Sequence, residues 1–74
     1  MNQAYNHLIG TRIRSVRMRE KLSQEQLAAK AQLLGCDLTR SALAKIECGQ
    51  RSIYPDERKA LHLALNVPYD TFLP

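Results

Sequence analysis

This 74-residue chain has no tryptophan, one phenylalanine and three tyrosines. A core without large rings must be built from leucine, isoleucine, valine and alanine, which favours packed helices over a β-sandwich. Alternation of apolar and polar residues never lasts for a strand's length, and β-branched residues are sparse. No apolar run reaches the roughly 18 residues of a membrane span. The opening stretch MNQAYNHLIG lacks the charged start and long apolar segment of a signal peptide, so a cytoplasmic location is expected. The two cysteines, Cys36 and Cys48, make no disulfide framework and, with no histidine beside them, no zinc site. They read as free reduced thiols. His7 and His62 stand apart from any other ligand type, so neither a metal nor a cofactor is expected. There is no phosphate-cradling glycine loop, no nucleophile triad and no carboxylate pair, which leaves an enzyme without support. Tyr5, Tyr54 and Tyr69 are scattered and form no stacking platform for single strands.

What the chain does have is an apolar content of 45%, enough for one globular domain spanning 1–74, near the lower size at which a core supports itself. Its charge is uneven. Residues 1–53 carry nine Lys/Arg against four Asp/Glu, whereas residues 54–74 carry two against three. A basic N-terminal two-thirds is the electrostatic footprint of a phosphate binder.

The most informative stretch is residues 23–51, SQEQLAAKAQLLGCDLTRSALAKIECGQR. Ser23 and Gln26 have the spacing of a capping box, Leu27 and Ala31 follow on one face, and Gly35 ends the helix. Thr39 caps a second helix with Leu43 and Ile46 inward, and Gly49 stops it. Arg40, Ser41, Ala44 and Lys45 are left on the outer face. Two amphipathic helices in this order, in a basic chain, suggest a helix-turn-helix DNA reader. Before them, Ile9, Ile13 and Val16 predict a helix from Tyr5 or Asn6 to Lys21, with residues 1–8 read as a candidate flexible arm. After them, Pro55 opens a fourth helix that carries Leu61, Ala64 and Leu65 and ends near Asn66. Pro68 opens a short fifth one.

Residues 10–73 resemble the Cro/C1-type (XRE) helix-turn-helix family of phage repressors and bacterial regulators. The matching pieces are Ile13, Val16 and Arg17; Leu22-Ser23-Gln24-Glu25-Gln26-Leu27-Ala28; Thr39-Arg40-Ser41; Ile46-Glu47 with Gly49; and Leu61, Ala64, Leu65, Val67, Phe72 and Leu73. About five extra residues lie between Leu27 and Thr39. They are expected to lengthen the first motif helix and to loosen the connection. The resemblance implies an all-α, compact five-helix lambda-repressor-like domain.

It also implies site roles. The positions matching Arg40, Ser41 and Lys45 touch bases in related repressors, and Ala44 could pack on a thymine methyl. Gln24 matches a phosphate contact at a helix N-terminus. Gln50 and Arg51 fall where the family's loop lies on the sugar-phosphate backbone, Arg51 being the stronger candidate. Arg17 and Glu47 match a partly buried ion pair. The function expected is a sequence-specific double-stranded DNA-binding transcriptional regulator, a repressor on an inverted repeat. It would act as a homodimer through C-terminal residues such as Tyr69, Phe72 and Leu73, unless these are core. The competing reading is a protein-binding module such as an antitoxin component that also represses its own promoter.

Overall fold

The computed structural model describes residues 3–72. They form α1 (Gln3–Arg19), α2 (Gln24–Leu33), α3 (Arg40–Glu47), α4 (Pro55–Ala64) and a 3-10 turn at Tyr69–Phe72, with no strand among them. No helix among the described residues is long and apolar enough to cross a membrane.

The helices start and stop where local chemistry demands. Ser23 accepts from the Gln26 N–H at 3.0 Å and Gln26 accepts from the Ser23 N–H at 2.8 Å, the reciprocal capping box. Thr39 Oγ1 accepts from the Ala42 N–H at 3.0 Å. All four helices end on a left-handed residue: Lys21, Gly35, Gly49 and Asn66. In each case the next N–H reaches back five residues, as in Cys36 to the Ala31 carbonyl at 3.0 Å and Gln50 to Lys45 at 2.9 Å. Lys21 carries a side chain in this conformation, at a cost of about 1–2 kcal/mol.

The N-terminal arm is corrected. Residues 3–8 belong to α1, which begins at Gln3 rather than at Tyr5 or Asn6; Met1 and Asn2 lie outside the described residues. The cause is packing. The start of α1 lies against the end of α3, so close that a Cβ on Gly49 would come within 2.8 Å of His7 Cα. Gly10 marks the tightest point of this crossing: a Cβ there would meet the Ile46 carbonyl oxygen at 2.2 Å.

The lengthened motif is present, but its connection is not loose. α2 runs on to Leu33, and residues 34–39 link it to α3. Gln32 Nε2 donates to the Leu38 carbonyl at 2.8 Å, while Cys36 and Leu38 are buried. The extra residues are therefore anchored at both ends. Burial, and then the carboxylates of Asp56, Glu57 and Asp37, push the Cys36 thiol pKa up, which keeps it protonated and unreactive.

The fifth helix is only the four-residue 3-10 turn, and Thr71 N–H bonds back to Pro68. Phe72 is fully buried and closes the core formed by α1, α2, α3 and α4. It is therefore not free for a partner, and Leu73 lies outside the described residues. Tyr69 is exposed, meeting His62 edge-on at 5.4 Å between ring centroids.

Candidate nucleic-acid interface

Helix α3 is held from beneath by Leu43 and Ile46, both essentially inaccessible. With α3 fixed this way, Arg40, Ser41 and Lys45 stand exposed on its outer face and Ala44 is half-buried among them. Spacings of one, four and five residues put all four on one side of a helix. Among the described residues, neither Arg40 nor Lys45 pairs with a carboxylate.

The expected ion pair of Arg17 with Glu47 is formed, and it sets the angle of α3. Arg17 Nε donates to Glu47 Oε2 at 2.7 Å and Nη2 to Oε1 at 2.9 Å, a two-pronged contact with both side chains buried. Arg17 Nη1 also donates to the Leu22 carbonyl at 2.8 Å. One buried guanidinium thus ties α1, the α1–α2 turn and the last turn of α3 together.

Gln24 enters the same network. Its Nε2 donates to Glu47 Oε1 at 3.0 Å, which fixes the N-terminus of α2 to the far end of α3. The residue stays partly exposed, and an open groove is lined by Ser23, Gln24, Glu25, Gln26 and Arg40. The sequence-derived candidates Gln24 and Arg40 therefore line one open groove. Gln50 is exposed beyond the other end, beside Gln3, His7 and Cys48. Cys48 is a free, exposed thiol at the α3 terminus.

Arg51 is placed differently from the expectation. Its Nη1 donates to Glu57 Oε1 at 2.9 Å and to the Ser52 carbonyl at 2.7 Å, and Nη2 donates to Glu57 Oε2 at 2.5 Å. The guanidinium also lies 4.6 Å from the Tyr54 ring centroid. A duplex phosphate would have to compete with a carboxylate already held by two bonds, so Arg51 serves first to brace the α3–α4 loop. The sequence shows Glu57 only as an acid suited to the first turn of α4. In the fold its carboxylate is buried, and Oε1 also accepts the Tyr54 N–H at 2.9 Å.

Burial alone would raise the Glu57 pKa, but the Arg51 bonds and the Tyr54 N–H outweigh it and hold the pKa below the usual glutamate value. A depressed folded-state pKa contributes stability above the unfolded value, about pH 4.3, that is lost as pH falls through the folded one. Thermal melts should therefore show Tm declining as pH is lowered from about 4.3. Glu57→Gln should flatten that decline. An identical decline in the variant would remove the pair as its source.

The family model described as helix-turn-helix matches residues 13–72, from the middle of α1 to the end of the 3-10 turn. The chain belongs to the Cro/C1-type helix-turn-helix family. This is a family of DNA-binding transcription regulators. The matched span holds both motif helices, the Arg17–Glu47 pair and the core-closing Phe72 of this helix-turn-helix domain. No curated protein and no solved structure gives a significant match to it.

Proposed function

We propose that this helix-turn-helix domain is a sequence-specific double-stranded DNA-binding transcriptional regulator that represses by occupying an inverted-repeat operator as a dimer. The observation that carries the reading is the division of labour among its cations. Arg17 and Arg51 are bound to buried carboxylates, whereas Arg40 and Lys45 stand free on the outer face of α3. Free cations on a rigid helix, flanked by a helix N-terminus, suit a major groove lined by phosphates.

In this reading Arg40 offers two donors to guanine O6 and N7, a contact that discriminates by about 1–3 kcal/mol. Ser41 is adaptable, and Ala44 lies where a thymine methyl could pack. Lys45 adds a base or phosphate contact. Thr39 positions the duplex at the start of α3, Gln24 along the groove beside it and Gln50 beyond its last turn. Arg51 supports the loop behind them.

Salt dependence tests the electrostatic part. Each phosphate neutralised adds about 0.9 to the negative slope of log affinity against log salt. Lys45→Ala should weaken binding to every sequence and, if Lys45 holds a phosphate, reduce that slope by about 1. Duplex binding by the wild type that ignored salt would overturn the proposal.

A further inference from the structure

A cavity of about 280 Å³ lies between the start of α1, the end of α3 and the loop that leads into α4. It sits just below the range of about 300–1,000 Å³ usual for small-molecule sites, so it suits a small occupant. Ile9, Ile46 and Ile53 supply apolar wall, and Asn6, Arg51, Ser52 and Arg58 supply polar wall. Neither Arg40 nor Lys45 lines it.

The polar wall has more donors than acceptors. The Ser52 hydroxyl donates to Asn6 Oδ1 at 3.4 Å. Asn6 Nδ2, on a residue only 8% exposed, meets no acceptor among the described residues. Arg58 Nε is likewise buried and unpartnered. A buried donor left unpaired is costly, and two on the wall of one cavity call for a cause. Charge is unbalanced in the same sense. Arg51 is neutralised by Glu57, whereas Arg58 forms no ion pair among the described residues. Its guanidinium lies 5.6 Å from the centroid of the Tyr69 ring, a contact that leaves the positive charge in place.

We infer that this cavity is a binding site for a small organic monocarboxylate with a short apolar body. The carboxylate oxygens accept from Asn6 Nδ2 and the Arg58 guanidinium, and the carbon skeleton lies on the three isoleucines. The Asn6 amide turns about a broad terminal torsion, so its free end can meet an acceptor held in the cavity. One negative charge matches the one uncompensated cation. A phosphate dianion exceeds that balance and is repelled by the Glu57 carboxylate that Arg51 already holds. A neutral ligand leaves Arg58 unmatched. The site lies on the inner side of α3, against Ile46, and so stands or falls apart from the reading of DNA.

Titration of the isotope-labelled full chain with sodium butyrate, followed by NMR at pH 7 and constant ionic strength without DNA, tests the site. The Asn6 side-chain amide, the Arg58 Nε–H and the Ser52 and Ile53 backbone signals should shift together. They should saturate with a Kd of about 1 mM, while Arg40 and Lys45 stay unmoved. Butyramide, similar in shape but uncharged, should bind at least about 10-fold more weakly, and so should inorganic phosphate. Arg58→Gln should weaken butyrate by about 10-fold or more, and Arg58→Lys should recover part of the loss. Shifts that do not saturate by about 50 mM butyrate, far above the expected constant, overturn the inference. So does butyramide or phosphate binding as tightly as butyrate, a comparison that uses the wild type and needs no variant to fold. A folded Arg58→Gln that binds butyrate like the wild type overturns it too. Duplex binding in the same preparation would show that the DNA reading survives such a failure.

Discussion

Glu47→Ala should destabilise the domain by about 3–5 kcal/mol, because it strands the Arg17 guanidinium in a site where only 11% of its side chain is exposed. A chain of this size has about 4–11 kcal/mol of total stability, so the loss is a large fraction of the whole. Gln24 would lose its acceptor as well, releasing the N-terminus of α2 from α3. Urea unfolding measures the effect. Removing both charges together, as Arg17→Met with Glu47→Leu, should recover much of the loss, since no buried charge is then left unpaired. A double variant no more stable than Glu47→Ala would show that the network stabilises through something other than this pairing. If Glu47→Ala itself melted like the wild type, the ion pair would carry no structural weight.

The second large effect is expected at Gly10. Two opposing terms act there. Alanine is favoured over glycine inside a helix by about 1 kcal/mol, so a helix free of tertiary contacts would gain. The added Cβ, however, would stand 2.2 Å from the Ile46 carbonyl oxygen and 2.8 Å from that of Glu47. Both obstacles are backbone, so no side-chain rotation relieves them, and α1 must move off α3. Overpacking of this kind costs about 1–3 kcal/mol, sometimes more, and a backbone clash belongs at the upper end. Gly10→Ala should therefore lower Tm, with a net loss of about 2 kcal/mol. A raised Tm would mean that helix propensity wins and the α1–α3 crossing is looser than described.

The features legible in the sequence are those decided over a few residues. Ser23 with Gln26, Thr39, Gly35, Gly49 and Asn66 punctuate helices through bonds spanning three to five positions. The inward turn of Leu43 and Ile46 follows from helical spacing. The Arg17–Glu47 pair, 30 residues apart, was reached through family resemblance rather than through local pattern. Features that depend on which distant surface a residue meets were not legible. Arg51 reads as a free loop cation until the fold sets it against Glu57. The bond from the Gln24 amide to Glu47, 23 residues away, has no local pattern to announce it. The start of α1 reads in sequence as a candidate arm, yet the buried Asn6, Ile9 and Gly10 hold it as helix. A glycine at position 10 inside a helical pattern was the available signal for that close crossing.

The central claim is that the outer face of α3 reads base sequence. Selection from a pool of random duplex DNA at near-physiological salt, run in parallel with the wild type and Arg40→Ala, addresses it most directly. The wild type should enrich an inverted repeat with half-site centres about 34 Å apart. Arg40→Ala should enrich the same repeat with preference lost at one base pair in each half. A folded wild type that enriches no sequence, or an Arg40→Ala variant that selects an identical operator, would contradict it.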